Sequence, residues 1–332
     1  MNTRTLLGLS LSLLASLAAC SSSSSSGSPF KSDAGSDAAA GGFEAAAAAV
    51  ASAYCGRSQD CAPSFVTGVL GDVATCTSTL KGTLLRAYTA TGVKETPDQL
   101  TACSAALPKM SCGDFLARRT VDACKPVAGA LADGAACGAD AQCAGTRCLV
   151  TLNHACGTCG THAAAGASCG VDDDCDVGLR CTAGKCVAYG DEKAICDATH
   201  PCRPDLGCVA GACATPTAVG AACTTADQCD AAHGSFCNPK SKVCEVANVA
   251  GPNGPCGFVA GHLATCSGPS GFCANVSATT FAGTCKAPAA AGAPCDTAAG
   301  PLCGSGAVCV CTAASDGGCT GTCTVPDPGS CH

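Results

Sequence analysis

Aromatic side chains and clusters of positive charge are both scarce in this chain of 332 residues. It has no Trp, three Tyr and eight Phe, and small Ala and Cys side chains supply most of its 47% hydrophobic content. Because small side chains bury little apolar area each, the length does not imply one large hydrophobic core. The 18 Lys and Arg residues form no run in a chain of net charge −7. A nucleic acid is therefore not an expected partner, since phosphate binding needs clustered cations.

Sequence signatures of catalysis are also missing. The chain contains no HExxH and no phosphate-binding glycine loop. Ser78 and Lys81 match the SxxK pattern of serine acyl-enzymes, but Ser28 and Lys31 match it too, and the SDN and KTG partners of that pattern are absent. The histidines are scattered through predicted loops: His154, His162, His200, His233, His262 and His332. We therefore predict a protein that is not an enzyme and has no cofactor.

Cysteine is the residue that the chain has in excess, with 35 in all. This proportion, above a tenth of the chain, is typical of disulfide scaffolds in an oxidising compartment and rare in the cytosol. An odd number leaves one cysteine without an intramolecular partner. Cys20 is the isolated one, because the next cysteine along the chain is Cys55.

The N-terminus has the layout of a secretory signal peptide over residues 1–19. Arg4 precedes an apolar run from Leu6 to Leu17, which is shorter than the roughly 20 residues that a membrane span needs. The stretch Leu17-Ala18-Ala19-Cys20 resembles the lipobox of bacterial lipoproteins. That resemblance implies lipid attachment at Cys20 and a membrane as partner. Ser21 rather than Asp follows, which in such lipoproteins implies an outer-membrane location, facing the periplasm or the cell surface.

Residues 20–41 then form a Ser/Gly/Ala-rich segment without hydrophobic periodicity. Such a composition is typical of a flexible tether. Its expected reach is about 25 Å, which would hold the folded part away from the membrane.

Residues 42–131 have the pattern of a small helical domain. Val73, Leu80 and Leu84 recur at helical spacing, and the preceding stretch 43–54 is rich in Ala. Three residues precede predicted helices as N-caps: Asp72, Thr96 (with Pro97 and Gln99 as a capping box) and Ser111. Six cysteines lie in or beside these helices, at positions 55, 61, 76, 103, 112 and 124.

A cysteine repeat begins after this domain and extends over residues 132–331. Cys169, Cys175, Cys181 and Cys186 are spaced 6, 6 and 5 residues apart, and the same spacing recurs 27 residues later from Cys196. A fixed period of this kind indicates repeated structural units. The predicted units are about 137–159, 169–186, 196–213 and 223–244, and residues 256–331 fit no unit and are predicted to be irregular.

The clearest resemblance to a known family lies in residues 131–148, LADGAACGADAQCAGTRC. It resembles the Dickkopf-like and EGF-like cysteine-rich modules of bacterial, myxobacterial-type surface lipoproteins, over about residues 50–331. The predicted fold class is a small disulfide-stapled all-α N-terminal domain followed by an array of small disulfide-rich repeats with little regular secondary structure.

Loop entropy alone disfavours sequential pairing of the four cysteines of a unit by about 1 kcal/mol and leaves crossed and nested pairing open. The resemblance to EGF-like and Dickkopf-like modules implies the crossed pattern. The implied pairs are Cys169–Cys181 with Cys175–Cys186, Cys196–Cys208 with Cys202–Cys213, and Cys223–Cys237 with Cys229–Cys244. Residues 55–159 and 256–331 each hold eleven cysteines, so either a disulfide leaves each of these blocks or each has one free thiol. We favour at least one disulfide between units, which would join neighbours into a semi-rigid rod.

Two further patterns have a structural and a functional interpretation. Cys156-Gly157-Thr158-Cys159 is a CxxC, which we interpret as structural disulfides rather than a redox or zinc site. The run Asp172–Asp174 with Asp176 lacks the alternating ligands and the Glu of a calcium loop. We interpret it as a solvated turn, and we predict no metal site.

The sequence therefore favours a lipid-anchored, non-enzymatic surface scaffold whose loops serve adhesion or the binding of an unknown protein or surface glycan. The alternative is a hydrolase inhibitor or a small-ligand-binding lipoprotein. Metal sequestration by free thiols is a third hypothesis, and only Cys309 and Cys311 are close enough in sequence to favour it.

Overall fold

The computed structural model describes residues 34–150, 154–268, 271–277, 279–304, 306–315 and 318–331. The predicted signal peptide, Cys20 and the tether up to residue 33 lie outside these residues. So do Ser28, Lys31 and His332.

The N-terminal part is helical, as the sequence predicts. Its helices are α1 (Ala34–Cys61), α2 (Pro63–Phe65), α3 (Val73–Thr89), α4 (Pro97–Ala106) and α5 (Cys112–Leu116). A π-helical turn, Val66–Leu70, follows α2 directly.

The observed α-helices do not coincide with the predicted bounds of the helical domain, residues 42–131. Helix α1 begins at Ala34, so residues 34–41 belong to the helix and not to the tether. The alanines of this stretch, which give it a low-complexity composition, are also the best helix formers. At the other end the last α-helix stops at Leu116, and only the short 3-10 turn Asp122–Cys124 lies between it and the array.

The three predicted N-caps are confirmed. The Asp72 carboxylate accepts a hydrogen bond from the Thr75 N–H at 2.6 Å, which satisfies a free donor at the start of α3. Thr96 and Gln99 form the reciprocal capping box of α4. The Ser111 hydroxyl accepts from the N–H of Asp114 at the start of α5.

Two apolar clusters and three disulfides hold the helices together. Val66, Leu70 and Leu80 are buried around α1 and α3, and Leu107 and Phe115 are buried where α4 and α5 meet α1. The crosslinks are Cys55–Cys76 between α1 and α3, Cys61–Cys112 between α1 and α5, and Cys103–Cys124 behind α4.

The array consists of six units with one disulfide pattern. In every unit four cysteines, the frame cysteines, form the crossed arrangement, in which the first of the four pairs with the third and the second with the fourth. The pairs are Cys137–Cys148 with Cys143–Cys159, Cys169–Cys181 with Cys175–Cys186, Cys196–Cys208 with Cys202–Cys213, Cys223–Cys237 with Cys229–Cys244, Cys256–Cys273 with Cys266–Cys285, and Cys295–Cys309 with Cys303–Cys323. We number these units 1 to 6. The remaining cysteines, Cys156 in unit 1 and Cys311 and Cys319 in unit 6, form other disulfides.

The prediction that residues 256–331 are irregular is therefore wrong. Units 5 and 6 have the same crosslinks as the shorter units, and longer loops between their cysteines conceal the spacing. Unit 6 adds one disulfide, Cys311–Cys319, between its two long strands.

A shared backbone frame accompanies the disulfides. Three residues before the first cysteine, each unit has a residue with positive φ, between 64° and 86°. The N–H of that residue donates to the carbonyl of the fourth cysteine at 2.7–2.8 Å, and this bond recurs in all six units. The positions are Gly134, Gly166, Lys193, Gly220, Asn253 and Gly292.

Strands form more of the array than the predicted "little regular secondary structure". They are β1 Ala136–Cys137, β2 Thr146–Leu149, β3 Gly157–Thr161, β4 Leu179–Thr182, β5 Lys185–Ala188, β6 Gly207–Val209, β7 Ala212–Ala214, β8 Ser235–Cys237, β9 Cys244–Val246, β10 Asn248–Ala250, β11 Pro255–Val259, β12 His262–Cys266, β13 Phe272–Ala274, β14 Ala282–Lys286, β15 Pro294–Asp296, β16 Val308–Ser315 and β17 Gly318–Thr324. Units 2 to 4 are two-stranded hairpins, units 1 and 6 have three-stranded sheets, and unit 5 has the sheet β10-β12-β11-β14-β13.

The hairpin turns follow from the Ala-Gly pairs between the third and fourth cysteines. Ala183 and Gly184 both have positive φ, as do Ala210 and Gly211. Two successive positive φ values characterise the type I′ turn, whose twist suits a tight antiparallel hairpin. The turn therefore brings the fourth cysteine back towards the second.

One disulfide connects the two ends of the array. Cys156 of unit 1 pairs with Cys331, across 175 residues of sequence. Gly138 packs so closely on Pro328 beside this bond that a Cβ at Gly138 would lie 2.4 Å from the Pro328 Cα. A disulfide between units is present, as expected, but it joins the first unit to the last segment and not neighbouring units. Within the described part of the chain, no helix has the length and apolar character to cross a bilayer.

Candidate functional site

The exposed loops of the array are the part of the molecule in which the units differ. Their frame cysteines are largely buried, whereas ten large apolar side chains of the array are exposed. The exposed ones are Leu149, Val150, Val171, Val177, Ile195, Val219, Val246, Val249, Val276 and Phe281. Ile195 stands out with 79% of its surface accessible, and it is the single isoleucine of the chain.

Ile195 lies on an open edge of unit 3. It faces Ala212 in an antiparallel bridge. On either side of it, the Ala194 carbonyl accepts from the Cys213 N–H at 2.8 Å, and the Cys196 N–H donates to the Gly211 carbonyl at 3.0 Å. This register directs the N–H and C=O of Ile195 away from the hairpin, and no described residue forms a hydrogen bond with them.

The other units have a different residue at this position. It is the residue before the first cysteine: Ala136, Ser168, Ala222, Pro255 and Pro294. Proline has no N–H, and a proline at an edge is one of the devices that prevent pairing with another strand. Unit 3 is therefore the unit that combines an unblocked edge with a large aliphatic side chain.

The loop after Ile195 is held in one conformation. The Asp197 carboxylate accepts hydrogen bonds from the Thr199 hydroxyl and N–H, both at 2.7 Å, and from the His200 N–H at 2.9 Å. These bonds, that of the Thr199 hydroxyl above all, hold the pKa of Asp197 well below its usual range. Cys196 and Cys202 anchor the two ends of the loop to the unit.

Ion pairs fix unit 3 against the helical domain. Arg119, which follows α5, lies 3.0 Å from Asp191 and 3.1 Å from Asp114. Arg203 lies 3.3 Å from the same Asp191 oxygen. Helix α5 approaches closely, since a Cβ at Gly113 would lie 2.7 Å from the Arg203 guanidinium carbon. The edge that carries Ile195 is therefore on a positioned unit.

The acidic run of unit 2 is not the solvated turn that the sequence predicts. Asp173 is 2% exposed, and its carboxylate lies 3.1 Å from Nη1 of Arg118 in the helical domain. Asp172 accepts from the Cys181 N–H at 2.9 Å, and Asp174 accepts from the Gly170 and Val171 N–H groups. These carboxylates accept hydrogen bonds from backbone donors and form an ion pair with a guanidinium, which accounts for them as structural groups.

The CxxC cysteines belong to two different disulfides. Cys159 pairs with Cys143 within unit 1, and Cys156 pairs with Cys331. Groups of three cysteine sulfurs within 4.8 Å of one another do occur in the units, for example at Cys137, Cys143 and Cys148. All of these sulfurs belong to disulfides. They lie close together because the two crossed disulfides of a unit lie side by side. Cys309 and Cys311 likewise pair with Cys295 and Cys319.

The other candidate catalytic residues are not brought together. The Ser78 hydroxyl donates to the Thr75 carbonyl, and Lys81 pairs with Glu44 at 2.8 Å. Three histidines bond a carboxylate through Nδ1, each at a separate place in the array: His200 with Asp197, His233 with Asp230 and His262 with Glu245.

Sequence reasoning missed Ile195, the ion pairs of unit 3 and the burial of Asp173. The single isoleucine directly before a frame cysteine was the available signal for the first. The comparisons with known proteins add no further constraint: no protein-family model, no curated protein and no solved structure matches the chain.

Proposed function

We propose that this protein is a lipid-anchored, extracytoplasmic, non-enzymatic scaffold whose loops bind a partner at the cell surface. The observation that carries this proposal is the six-fold use of one frame with different loops. The partner class that we favour is a protein, bound in part through Ile195.

Crosslinked frames suit this task because the crosslinks, and not the loops, determine the fold. A loop between two frame cysteines can change in length or composition while the two disulfides and the shared hydrogen bonds persist. Preformed loops also lose little conformational entropy on binding. Exposed aliphatic side chains and unpaired edge groups, both present at Ile195, are what a partner strand can use.

Inhibition of a protease in the manner of a bound substrate is less well supported. Such a mode needs an extended chain on both sides of the inserted residue. Lys193, two residues before Ile195, has φ 69° and interrupts the extended stretch. Partner binding at the edge does not need that geometry.

The lipid anchor rests on the sequence around Cys20 and on the even number of cysteines that remains without it. The 34 cysteines from Cys55 to Cys331 are all paired in the structure. Stable anchoring needs more than one acyl chain, which lipoproteins of this type supply at the N-terminal cysteine. We expect Cys20→Ser to abolish metabolic labelling with palmitate and membrane retention. Retention of the variant in the membrane fraction would remove the anchor from the proposal.

Partner binding is tested by a photo-crosslinking residue placed at position 195 and, as a matched control, at position 168 of unit 2. The full chain is expressed on its own cells and irradiated there. We expect a discrete adduct from position 195 that excess unlabelled protein competes away and that position 168 does not give. The same adducts from both positions, or none from 195, would contradict a binding edge at Ile195.

A further inference from the structure

A cavity of about 280 Å³ lies where the helical domain meets unit 2 of the array. The helical domain supplies most of its wall, and Asp173 supplies the wall on the side of unit 2. The scaffold function leaves this cavity unexplained, because Ile195 does not line it and the helical domain supplies all of its lining residues except Asp173.

The wall on the helical side is apolar. Leu107, Met110 and Phe115 are each less than a tenth exposed, and Val121 packs against them. Tyr54 of α1 adds an aromatic face, with its ring centroid 5.2 Å from that of Phe115 and the rings tilted by 52°. An apolar wall of this kind can accept a small apolar molecule, since about 150 Å³ suffices for benzene.

The opposite side contains one buried donor without an acceptor. Nη1 of Arg118 is fully buried and lies 3.1 Å from the Asp173 carboxylate, at an angle that does not make a hydrogen bond. Arg118 has φ 57°, a left-handed conformation that is uncommon for a side chain of this size. A buried N–H without a partner is costly. An oxygen acceptor on a bound molecule would remove that cost.

The charges around the cavity favour a neutral molecule. Asp173 already balances Arg118, and the second guanidinium of the wall, Arg119, is shared between Asp114 and Asp191. An anion would meet the buried Asp173 carboxylate, and a cation would meet the two guanidinium groups. A neutral carbonyl oxygen can accept from Arg118 without either repulsion.

We propose that this junction cavity binds an uncharged small molecule with an apolar body and one carbonyl oxygen. The body lies between Tyr54, Phe115 and Met110, and the oxygen accepts a hydrogen bond from Arg118. The volume is slightly below the usual range of about 300–1,000 Å³ for ligand sites, so the ligand is of one-ring or two-ring size. Because both modules contribute to the wall, binding also stabilises the contact between them.

The chain provides its own reporter for a test. It has two methionines, Met1 and Met110, and Met110 lies in the wall. The full chain is labelled with 13C-methyl methionine, its Met110 signal is identified with Met110→Leu, and three probes with the same body are titrated. Butyrophenone has a neutral carbonyl, butylbenzene has no acceptor, and 4-phenylbutyrate is an anion.

We expect butyrophenone to shift the Met110 methyl signal saturably. The hydrogen bond to a charged donor predicts binding about tenfold tighter than that of butylbenzene, and 4-phenylbutyrate should bind more weakly than butyrophenone. In Arg118→Lys, which keeps the charge beside Asp173 but loses the guanidinium geometry, the preference for the ketone over butylbenzene should disappear.

A plugged cavity provides the control. Thr120 is exposed and lines the cavity, so Thr120→Trp should abolish the shift without disturbing the core. Thr101→Trp, an exposed position of α4 outside the cavity, should leave it intact. An unshifted Met110 signal with butyrophenone, a shift that persists in Thr120→Trp, or equal affinities for butyrophenone and butylbenzene would each overturn the proposal.

Discussion

The helical domain and the array have different kinds of core. In the helical domain the buried residues include Val66, Leu80, Leu100 and Phe115, alongside cysteines and alanines. In the described part of the array, the buried hydrophobic residues are cysteines and three alanines alone. Disulfide-bonded cysteines therefore form most of the buried core of the array. Three disulfides support a conventional core in the first region, and in the second the disulfides replace it.

Chain length per unit explains this difference. Segments shorter than about 40 residues bury too little apolar area to fold through a core, and each unit is shorter than that. A crosslink instead raises the free energy of the unfolded chain, by about 3 kcal/mol for a loop of 15 residues. Two crossed loops in each unit therefore compensate for the missing apolar burial.

Reduction of the disulfides should produce the largest difference in stability between the helical domain and the array. Without its disulfides the array has no apolar core, whereas α1 and α3 still bury Val66, Leu70 and Leu80 against one another. We expect a thiol reductant without denaturant to remove the hydrogen-exchange protection of all array peptides while the α1 and α3 peptides keep part of theirs. Mass-resolved hydrogen exchange on the reduced and oxidised chain measures this. Persistent protection in units 2 to 4 after reduction would show that something other than cystine holds the array.

Removal of one disulfide from each region sharpens the comparison. Replacing Cys175 and Cys186 together with Ser should unfold unit 2 locally, because loss of a native disulfide costs about 2–5 kcal/mol and the unit has no apolar core beside its remaining disulfide, Cys169–Cys181. The same double replacement at Cys55 and Cys76 should lower the melting temperature of the helical domain but leave it folded. Limited proteolysis reports both outcomes, and unit 3 of the same molecule is the internal control. Equal protease resistance of unit 2 in wild type and variant would contradict the account.

Substitution of two glycines by alanine should change the free energy of unfolding in opposite directions. Gly166 has φ 84° in the frame of unit 2, so Gly166→Ala should cost about 1 kcal/mol through left-handed strain. Gly56 lies within α1, and apart from the adjacent backbone of this helix no atom lies within 4 Å of the position that an alanine methyl would occupy there. Gly56→Ala should therefore gain about 0.5–1 kcal/mol through helix propensity.

A third substitution checks the reason for the first. Lys193→Gly, at the position of unit 3 that corresponds to Gly166, should be stabilising or neutral because it relieves the same strain. Thermal unfolding together with local hydrogen exchange measures all three variants. A stabilising Gly166→Ala would show that the shared left-handed residue is not a requirement of the frame.

The smallest effect concerns the tyrosines. Burial raises the pKa of Tyr54 to about 12, and burial also raises the pKa values of Tyr88 and Tyr189. A pKa that is higher in the folded state stabilises the fold below the unfolded value of about 10, and this contribution is lost as the pH rises from 10 towards 12. We expect less tyrosinate absorbance at 295 nm from the native protein at pH 10.5 than from the unfolded chain at the same pH. Half-ionisation of any tyrosine near pH 10 without unfolding would contradict its burial.

Local signals in the sequence were sufficient for the helix starts and for the short units. Asp72, Thr96 and Ser111 are caps because their hydroxyl or carboxylate oxygens satisfy backbone donors within three residues, which a sequence shows directly. Units 2 and 3 show their period because their loops have equal lengths. Units 5 and 6 do not, since insertions move Cys266 and Cys303 away from the expected spacing.

The remaining features depend on contacts between distant segments. Asn253 has the left-handed conformation that glycine provides in four other units, so a search for glycine alone misses unit 5. Neither the Cys156–Cys331 bond nor the contact between Arg118 and Asp173 has a signal in its neighbouring residues. The edge at Ile195 and the junction cavity could be located only after these contacts were known.

The disulfide map of unit 5 tests the central claim most directly, because this unit has the frame without the spacing. Chymotrypsin cleaves after Phe258, Phe272 and Phe281, and these sites separate all four cysteines of the unit. Unreduced digestion followed by mass spectrometry should give peptides that link Cys256 to Cys273 and Cys266 to Cys285. Peptides that link Cys256 to Cys285 or Cys266 to Cys273 would show that the six units do not share one crosslinked frame.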